Sequence, residues 1–528
     1  MECTCIRHTE LPGATGLFTD FVYHFDRVRR FYGHSPFDRE SYRAAAAQVR
    51  FPDDRRAALV QALRIQNGES ESLERLARPG TVAVVTGQQV GLFSGPAYTV
   101  YKALTAVKLA RELTSRGIEA VPIFWLATED HDFAEVNRFW TFDPALQPVE
   151  LSVTGHDPAT IEGRPVGGVA VESYPVDALR RSLQGFPFGQ ELADMVERTY
   201  TGGAAFGPAF GNLLKELLPS YGLLQVDPML PAIRELAVPT IRTALEMAPE
   251  LTDALLERNR ELLAAGYHAQ VHVEDQTSLV FLLEGGRRLA LKRKGAEYMA
   301  GGRRFSTAEL IGLADHLSPN ALLRPVAQDT ILPTVAYIGG PAELAYLAQS
   351  AVIYDRVLGR MPVAAPRSGF TIFDSRAAKL MKRYRLHMQD FFSGEEHVKE
   401  QIASTLISPA LARVMTEART STDAAIERLT AALAGFDPTL ADAMGNSRRK
   451  IEHQIGRMEH KIRRETLRRD ERASRDAAWL CHLIYPHKHL QERLYSIVPF
   501  LARHGVDLVD RIYDNIQLDC PDHRLLTI

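Results

Sequence analysis

The sequence predicts an α/β protein: a doubly wound parallel sheet with two long insertions, followed by an α-helical coiled-coil domain. From Thr81 onward, short β-branched runs alternate with amphipathic segments, which is the pattern of parallel strands joined by crossover helices. After Phe373 the composition changes to long helical segments. Within these segments, an apolar repeat that begins near Ile451 is typical of a coiled coil.

Five apolar runs predict the strands of the sheet: TVAVVT (81–86), AVPIFWLA (120–127), LLQVDP (223–228), TVAYIGG (334–340) and MPVAAP (361–366). A helix that reaches about Arg116 follows the first run, because Val100, Leu104 and Val107 share one face. A second helix begins at Pro341, a residue type favoured in the first turn, and joins the fourth run to the fifth.

Two insertions separate the predicted strands, at about residues 140–221 and 266–319. The first contains a β-like stretch rich in glycine and proline, from Val153 to Val171, and the second contains the alternating HAQVHVEDQTSLVFLL and the basic RRLALKRKG. We therefore expect a core over residues 1–375 that includes both insertions. A helical coiled-coil domain is expected over 376–477, and a final segment, 478–528, that packs back on the core.

A heptad seam supports the coiled coil. Ile451, Ile455, Met458 and Ile462 repeat at coiled-coil spacing and form one narrow apolar stripe, which needs a partner helix. The pattern predicts an antiparallel hairpin from about residue 412 to 434 and back along 446–477. The turn would contain Gly435, Asp437 and Pro438.

Basic residues surround this seam, and two interpretations of them remain open. The residues are Arg448, Arg449, Lys450, Arg457, Lys461, Arg463, Arg464, Arg468 and Arg469. Glutamates interspersed among them favour a solvated coiled-coil exterior. Contact with RNA is less favoured, because the segment lacks the aromatic side chains on which single-stranded bases usually stack.

Composition and charge exclude several classes of protein. The formal net charge of -3 gives no chain-wide positive field, so neither nucleic acid nor an anionic membrane is an expected partner. The N-terminal MECTCIRHTELPGATG lacks the apolar run of a signal peptide, and no later segment is apolar for long enough to span a bilayer. We therefore expect a cytoplasmic protein. Four cysteines are too few for a disulfide framework, and Cys3 and Cys5 lack a second pair to complete a zinc site, so no metal is predicted.

The loop TGQQVGLFSGPAYTVYK (86–102) after the first strand is the first candidate site. Its glycines allow a ligand to approach the backbone, and the helix that follows directs its positive end at the same point. The spacing matches neither the P-loop nor the dinucleotide fingerprint, and a plain tight turn is the alternative. We predict ligand contacts from seven residues: Gln88, Gln89, Gly91, Ser94, Gly95, Tyr98 and Lys102.

The segment TEDHDFAEVN (128–137) after the second strand is the second candidate. Four carboxylates, from Glu129, Asp130, Asp132 and Glu135, crowd around His131, and such crowding is unfavourable unless a cation or hydrogen bonds relieve it. An ammonium-bearing substrate would do so. The structural alternative is a capping box between Asp132 and Glu135. A metal is less favoured, because one histidine is a poor ligand set. The predicted catalytic residues are His131, Asp132, Glu129 and Asp130, with Asn137 as a binding residue.

The third candidate follows the fourth strand. Gly339 and Gly340 precede a helix that carries Glu343 and Tyr346. Upstream, SPNALLRPVAQD supplies Asn320, Arg324 and Gln328. Arg324 would hold a carboxylate through two parallel hydrogen bonds or would form an ordinary ion pair. Because strand ends in a doubly wound sheet meet at one edge, the three candidate segments are expected to form one site.

A second ligand site is a further candidate near the C-terminus. The run from Tyr485 to Gly505 offers Lys488, Gln491 and Arg493 as contacts for a nucleotide or second ligand. Ordinary helix packing against the core is the alternative.

Four long motifs together resemble the bacillithiol biosynthesis cysteine-adding enzymes, a family of cysteine ligases: GQQVGLFSGPAYTVYKA, PIFWLATEDHDFAEVN, SPNALLRPVAQDTILPTVAYIGGPAELAYLAQ and YPHKHLQERLYSIVPFLARHG. The resemblance covers nearly the whole chain. It implies a nucleotidyltransferase-like Rossmann core with two connecting-peptide insertions, and a homodimer formed through the coiled coil. The implied reaction joins the carboxyl group of cysteine to the amine of glucosaminyl malate.

One departure concerns how the cysteine carboxylate is activated. Adenylyl-transferring relatives of that core carry His-x-Gly-His at the first turn, where this chain has Phe93, Ser94, Gly95 and Pro96. The cofactor is therefore unknown, with ATP or another nucleotide as candidates. We expect the carboxylates around His131 to bind the amine, His131 or one carboxylate to take its proton, and the glutamine loop to hold the carbonyl or the malate.

Two alternatives from other classes remain open at this point. One is a nucleotide-activating ligase or nucleotidyltransferase that acts on another small acid. The other is a non-enzymatic, RNA-binding coiled-coil scaffold, for which the basic helix is the only support.

Overall fold

The computed structural model describes residues 3–154, 158–295 and 297–528. Met1, Glu2 and part of the stretch from Val153 to Val171 lie outside the described residues. The strands, in chain order, are β1 (Cys3–Ile6), β2 (Val82–Gln88), β3 (Ala120–Leu126), β4 (Arg138–Phe142), β5 (Pro148–Ser152), β6 (Leu224–Val226), β7 (Thr277–Glu284), β8 (Arg287–Lys294), β9 (Glu297–Ala300), β10 (Arg303–Ser306), β11 (Leu317–Pro319), β12 (Thr334–Gly339), β13 (Val363–Pro366), β14 (Phe370–Phe373) and β15 (His523–Thr527).

Helices fill most of the remaining chain. They are α1 (Gly16–Tyr23), α2 (Arg29–Tyr32), α3 (Arg39–Gln48), α4 (Asp53–Asn67), α5 (Glu71–Ala77), α6 (Tyr98–Ser115), α7 (Phe133–Val136), α8 (Pro158–Ile161), α9 (Val176–Leu183), α10 (Gly189–Thr199), α11 (Phe206–Leu217), α12 (Pro231–Glu246), α13 (Ala248–Ala264), α14 (Thr307–Gly312), α15 (Arg324–Ile331), α16 (Pro341–Ile353), α17 (Ser375–Tyr384), α18 (Met388–Phe392), α19 (Glu395–Leu406), α20 (Pro409–Phe436), α21 (Pro438–Arg469), α22 (Glu471–Ile484), α23 (Gln491–Leu494), α24 (Val498–His504) and α25 (Leu508–Asp514).

The central sheet is parallel throughout and has the order β13-β12-β2-β3-β6. These five strands are the five that the sequence predicts. Along the chain, β2, β3 and β6 are added in turn toward one edge of the sheet. The chain then returns to the centre, where β12 pairs with β2, and β13 is added toward the other edge. The direction of winding therefore reverses between β2 and β12, and such a switch point is where ligands bind in doubly wound sheets.

Side chains of β2 point alternately to the two faces of the sheet, and both sets are apolar and buried under helices. Val82 and Val84 pack in one buried cluster with Leu109 of α6. Ala83 and Val85 point the other way, into a cluster that contains residues of α12, α13 and α16. A strand that is buried on both faces consists of apolar residues in succession. This is why the run TVAVVT (81–86) clearly predicts a strand.

The first insertion differs from the prediction. Its β-structure is an antiparallel hairpin of β4 and β5, which lies before the stretch that we expected to be β-like. In the described part of Val153–Val171 the chain forms α8 and turns, with one isolated bridge from Ala170 to Ala205. Val153, Val169 and Val171 are buried, so their apolar character reflects packing of a loop against the core and not strand pairing.

The second insertion forms an antiparallel sheet of order β10-β9-β8-β7-β11. The alternating segment provides β7 and the basic run provides β8. The Arg288 amide donates a hydrogen bond to the Gly163 carbonyl over 2.6 Å. This contact joins the two insertions beyond the carboxyl edge of the central sheet.

Helices α20 and α21 form the predicted helical hairpin, although its turn and its end differ from the prediction. Gly435 lies inside α20, and the turn consists of Asp437, whose side chain accepts from the Thr439 amide over 2.8 Å. The predicted helix to residue 477 is interrupted at Asp470, which caps α22 by accepting from the Ala473 amide. Aspartate is among the strongest N-cap residues, and this preference ends α21 even though the apolar spacing continues.

Ion pairs along α21 account for much of its basic face. Arg448 pairs with Glu452 over 2.8 Å, and Arg468 and Arg469 both pair with Glu465. These contacts favour the solvated exterior over an RNA-binding surface.

A third sheet, of order β1-β15-β14, joins the two ends of the described chain. β15 pairs antiparallel with β1 and parallel with β14. The domain division at residues 375 and 477 stays a prediction. Within the described ranges, no helix combines the length and apolar character that are needed to cross a membrane.

Candidate active site

A cavity of about 650 Å³ lies at the switch point, at the carboxyl ends of β2, β3 and β12. It brings together residues from all three candidate segments. The predicted residues that line it are Gln88, Gln89, Tyr98, Glu129, Asp130, Asn320, Arg324, Gly340, Glu343 and Tyr346. The strand exits are tied to one another, because the Ala127 amide after β3 donates to the Gln88 carbonyl over 3.0 Å.

Two carboxylates, Asp130 and Glu135, form what we call the acidic end of this cavity. The Gln89 side-chain amide donates to Asp130 Oδ2 over 2.6 Å and to Glu135 Oε2 over 2.8 Å. Burial alone would raise the pKa of Asp130, but hydrogen bonds from Gln89 and the His131 amide, with the charge of Arg288, lower that pKa below its usual value. Asp130 is therefore an ionised carboxylate at neutral pH.

Glu129 lines the cavity with its charge already paired. Its Oε1 lies 3.0 Å from Arg234 Nη1, and Arg234 also donates to the carbonyls of Asp315 and Leu317. Burial raises the pKa of Glu129, and Arg234 and Arg288 offset this only in part. The main contribution of Glu129 in this arrangement is to fasten α12 and the second insertion to the end of β3.

His131, Asp132 and Asn137, which we expected in the main site, line a neighbouring cavity of about 640 Å³. Asp130 and Glu135 line both cavities and form the wall between them. His131 Nδ1 lies 3.3 Å from Arg288 Nη1 and 3.6 Å from Asp130 Oδ1. Because a guanidinium only donates, the contact with Arg288 makes Nδ1 an acceptor. Asp132 caps α7 by accepting from the Glu135 amide over 3.2 Å.

Lys102 lies beneath the cavity floor and does not reach the ligand space. It is 0% exposed, and its ammonium donates to the Gly87 carbonyl, to Gln88 Oε1 over 3.1 Å and to Glu343 Oε2 over 2.6 Å. Burial lowers the pKa of Lys102, and Glu343 offsets part of that effect. All three N–H groups are used, so Lys102 positions other groups and is unavailable to a substrate.

Glu343 is the acceptor at the centre of the cavity floor. Besides Lys102, it accepts from the Tyr337 hydroxyl over 2.6 Å and from the Gly340 amide over 2.8 Å. Burial alone would raise its pKa, but Lys102 and these hydrogen bonds lower it. Glu343 is thus a fully satisfied carboxylate that joins the start of α16 to the end of β2.

Three arginines, Arg324, Arg367 and Arg493, form what we call the arginine end of the cavity. Arg324 donates to Gln328 Oε1 over 3.0 Å and to the Tyr346 hydroxyl over 2.7 Å. Arg367 pairs with Glu492 through two hydrogen bonds of 2.6 and 3.0 Å, and its guanidinium lies 5.1 Å from the centre of the Tyr98 ring. Gln328 is buried behind Arg324 and does not line the cavity.

The glycine loop after β2 is closed by hydrogen bonds within the loop and to the C-terminal segment, and this bears on the ligand contacts that we predicted for Gly91, Ser94 and Gly95. The Gly91, Gly95 and Ala97 amides donate to the Gln89, Leu92 and Tyr495 carbonyls, and the Ser94 hydroxyl lies 3.1 Å from the Ser496 hydroxyl. A Cβ on Gly91 would lie 3.0 Å from Gly95 Cα. The glycines therefore serve a compact turn, and none of the three residues lines the cavity.

Closure of this loop bears on nucleotide binding. In dinucleotide-binding folds, phosphates bind at unpaired amides of the first strand-to-helix turn. Here Phe93 and Ser94, with φ of 48° and 78°, turn the backbone inward, and both residues are buried. The geometry does not support phosphate binding at this turn.

The C-terminal residues predicted for a second ligand do not form a common site. Gln491 is 0% exposed and holds the backbone of β14, with its side chain accepting from the Ile372 amide and donating to the Ile372 and Leu483 carbonyls. Lys488 is exposed, whereas Arg493 reaches the main cavity. Helix packing is therefore the better description of Gln491.

Two further predicted residues have mainly structural contacts. Asn320 lines the cavity, but its Oδ1 accepts from the Leu322 and Leu323 amides and so shapes the turn before α15. Gly339 ends β12, where its carbonyl accepts from the Arg367 amide over 2.9 Å.

Sequence reasoning missed Arg288 and did not place Arg367 in the site. Arg288 projects from β8 of the second insertion, lies 4.0 Å above the Phe281 ring and donates to the Pro319 carbonyl over 2.7 Å. The basic run RRLALKRKG and the position of Arg367 directly after β13 were visible signals. Neither signal shows that the side chain of Arg288 or Arg367 points toward the cavity.

No metal centre is evident in the part of the chain that the structure describes, since no group of three or more His, Cys, Asp or Glu side chains is placed to hold an ion.

Comparison with known proteins identifies the family. The family model "Bacillithiol biosynthesis BshC, N-terminal Rossmann-like domain" matches residues 1–368, and "Bacillithiol biosynthesis BshC, C-terminal coiled-coil domain" matches residues 370–528. These matches confirm the predicted α/β fold with a coiled-coil domain.

Curated relatives carry the name "Putative cysteine ligase BshC". The protein of Solibacter usitatus is 58% identical over 100% of both chains. That of Koribacter versatilis is 35% identical over 99% of both, and that of Symbiobacterium thermophilum is 31% identical over 96% of both. With matches of this extent to both family models and to full-length relatives, the chain belongs to the BshC family of bacillithiol biosynthesis.

Proposed function

We propose that this protein is a cysteine ligase that joins the carboxyl group of cysteine to the amine of glucosaminyl malate and so forms bacillithiol. Family membership supports the reaction. The observation that carries the proposal to particular residues is the cavity at the switch point, which has a carboxylate pair at one end and arginines at the other. Both substrates contain amine and carboxylate groups, and such a cavity complements them.

The acidic end is the proposed site for the reacting amine. An amine with a pKa near ~8 is mostly protonated at neutral pH, so it arrives as an ammonium ion that Asp130 and Glu135 attract. It must lose a proton before it can attack a carbonyl carbon. Asp130 lines the cavity as a carboxylate acceptor, and His131 Nδ1 lies 3.6 Å from its Oδ1. Asp130 and His131 are therefore the proposed route for the proton.

Tyr98 and Gln88 are the proposed contacts of the carbonyl oxygen. The Gln88 amide donates to the Tyr98 hydroxyl over 3.2 Å, and Lys102 fixes the other side of the Gln88 amide. Burial raises the pKa of Tyr98, so its hydroxyl keeps its proton and can donate to an oxygen that gains negative charge during attack.

The proposed reaction includes activation of the cysteine carboxylate, and no cofactor is assigned to that step. Amide formation must expel one carboxylate oxygen, so this oxygen must first become part of a leaving group. ATP or another nucleotide would supply a phosphoryl or nucleotidyl group to the carboxylate, and the oxygen would leave with that group when the amine attacks. Because the loop after β2 is closed, the proposal does not place a phosphate there.

The direct test incubates the purified protein with cysteine, glucosaminyl malate and each candidate activator, and measures the conjugate by mass spectrometry. Formation of a product with the mass of bacillithiol is expected with one activator. Absence of the conjugate with all of them, for a protein that is folded and binds glucosaminyl malate, would reject the ligase proposal.

Two sets of substitutions then decide which cavity holds the proton acceptor. Asp130→Asn is expected to abolish bacillithiol formation in cells that depend on this protein. The pair His131→Asn and Asp132→Asn, in the neighbouring cavity, tests the proton route. Normal thiol levels in the second strain would remove His131 and Asp132 from the mechanism and leave Asp130 as the base.

We also propose that the protein acts in the cytoplasm as a homodimer formed through the α20–α21 hairpin. The apolar seam of α21 is only partly covered by α20: Ile451 is 36% and Met458 is 56% exposed. Leu411, Val414, Leu429, Phe436 and Leu440 on the same hairpin are also exposed. Large apolar side chains exposed together usually mark an interface.

A further inference from the structure

Charge pairing around the cavity leaves two of its cations without an acidic partner. Glu343 is paired with Lys102, Glu129 with Arg234, and Arg367 with Glu492. Among the described residues, no carboxylate lies within ion-pair distance of Arg324 or Arg493. Arg324 contacts only neutral groups, and no hydrogen bond is formed by the Arg493 side chain within the described chain.

The surroundings of these two arginines also favour an anion. Arg324 is half-buried, and an unpaired charge in such a position is unfavourable unless a ligand completes it. Arg493 is exposed and lines the same cavity, so its guanidinium is accessible to a ligand. Two unpaired guanidinium groups match a ligand with two carboxylates, and a guanidinium can hold each carboxylate through two parallel hydrogen bonds.

Tyr98 lies between the two ends of the cavity. The Arg367 guanidinium lies 5.1 Å from the centre of its ring. Its hydroxyl accepts from the side-chain amide of Gln88, whose neighbour Gln89 holds Asp130 and Glu135. A ligand that reaches from the arginine end past Tyr98 to Asp130 and Glu135 is complemented by the cavity when it carries negative groups at the first end and a positive group at the second.

We infer that Arg324 and Arg493 bind the two carboxylates of the malate group and that they determine specificity for the malate-bearing sugar. This inference rests on the proposed function, because it takes glucosaminyl malate as the substrate. In that molecule the malate and the amine are substituents of one sugar ring. Malate at the arginine end therefore directs the amine toward Asp130 and Glu135. Arg493 comes from α23, so the C-terminal segment supplies a binding residue to the core, and the malate does not bind at the glutamine loop.

Isothermal titration calorimetry on the full-length protein tests this with three probes: glucosaminyl malate, methyl glucosaminide, which keeps the amine and lacks both carboxylates, and malate alone. Wild-type protein is expected to bind glucosaminyl malate more tightly than methyl glucosaminide by at least about tenfold, since hydrogen bonds to charged groups contribute roughly that much. Malate alone is expected to compete with glucosaminyl malate.

Arg493→Met and Arg324→Met are each expected to weaken glucosaminyl malate binding by about 10- to 100-fold, and to leave methyl glucosaminide binding unchanged. Arg493→Lys should restore part of the loss, because it keeps the charge and loses the planar fork. Arg511→Met is the matched control, since Arg511 lies on α25 of the same segment and pairs with Asp507 away from the cavity. Arg493 is exposed, so its substitution tests the inference even if the Arg324 variant fails to fold.

The inference is overturned if both arginine variants bind glucosaminyl malate as the wild type does, or if the wild type binds the two sugars equally. In either case the ligase proposal stands as long as the conjugate forms. Conversely, malate-selective binding that depends on Arg493, without conjugate formation under any activator, would support the inference and reject the ligase proposal.

Discussion

Lys102 shows how one buried side chain can position a site without touching a ligand. Its ammonium connects the end of β2, through Gly87 and Gln88, with Glu343 at the start of α16. These two elements lie on either side of the switch point. The position of Gln88 relative to Glu343 is therefore set by a charge that a substrate never contacts.

Substitution of Lys102 tests this role. Lys102→Met leaves Glu343, whose side chain is 20% exposed, without its cation. Breaking a fully buried pair typically costs about 3–5 kcal/mol of the free energy of unfolding, so we expect a loss of up to that amount. Urea unfolding should show this loss. The double variant Lys102→Met with Glu343→Gln should recover more than half of it, because no buried charge is left unpaired. Equal stability of the two variants would contradict the pairing.

His523 should contribute to the pH dependence of stability. It is 1% exposed, its Nε2 lies 2.8 Å from the Thr371 hydroxyl, and burial lowers its pKa to about 4, opposed by Glu492 and reinforced by His8 and Arg367. The unfolded chain takes up a proton at this histidine below its ordinary pKa of ~6.5, whereas the folded chain does so only near 4. Stability is therefore present above pH ~6.5 and is lost as pH falls toward 4.

The matching measurement is urea unfolding between pH 7 and 4.5. His523→Gln should reduce the fall in the free energy of unfolding over this range by about 2 kcal/mol, from the linkage between pKa and stability. His453→Gln, at an exposed position on α21, serves as the control and should follow the wild-type curve. If the free energy of unfolding of His523→Gln falls with pH as steeply as that of the wild type, folding does not lower the pKa of His523.

Among the structural elements, β2 and β3 pack so closely that their contact fixes the positions of the strand ends beside the cavity. Gly87 is paired with Trp125 in the parallel ladder, and a Cβ on Gly87 would lie 2.8 Å from the Trp125 carbonyl oxygen. That atom belongs to the backbone, so it cannot move aside as a flexible side chain would. Glycine is required here because of this close approach, and its carbonyl is then free to hold Lys102.

Gly87→Ala should therefore displace the end of β2. We expect a loss of about 1–3 kcal/mol in the free energy of unfolding, the usual range for overpacking, together with weaker binding of glucosaminyl malate. Gly168→Ala is the control, because a Cβ there meets no atom within 4 Å. If Gly87→Ala is as stable as the control, the strands are less tightly packed than the structure indicates.

Elements of the central sheet were predictable because each strand is an apolar run between turn residues, as TVAVVT and AVPIFWLA show. The hairpin of β4 and β5 was not, because its strands alternate weakly and lie next to a glycine-rich stretch with stronger turn signals. The break between α21 and α22 depends on one capping residue, Asp470, within an otherwise continuous helical pattern.

Site residues divide in the same way. Gln88, Asp130 and Glu343 follow predicted strands, and the rule for doubly wound sheets places them together. Arg288 and Arg493 come from the second insertion and the C-terminal segment, whose packing on the core depends on tertiary contacts that local sequence does not encode. His131 and Asp132 follow the predicted strand β3, but after the turn at Thr128 and Glu129 they line the neighbouring cavity.

At the scale of the whole molecule, the hairpin of α20 and α21 should determine oligomeric state. Val414 and Met458 are 59% and 56% exposed, and a charge at either position is unfavourable in an apolar interface. Val414→Glu combined with Met458→Glu should shift the protein to its monomer mass of 58.8 kDa in size-exclusion chromatography with light scattering.

Ile65→Glu provides the control for that experiment, since Ile65 is 77% exposed on α4 of the core and its substitution should leave the dimer intact. A wild-type protein that is monomeric at micromolar concentration would reject the dimer proposal. So would a double variant that remains dimeric.

Pairing of β15 with β14 has a consequence for how the protein is made. β14 lies directly downstream of Arg367, and Glu492 holds both Arg367 and the Phe370 amide, so the arginine end is assembled from early and late parts of the chain. A nascent chain still on the ribosome lacks α23 and β15, and it cannot complete this region however well its first strands have folded. Truncated translation products of this protein should therefore be inert toward the sugar substrate.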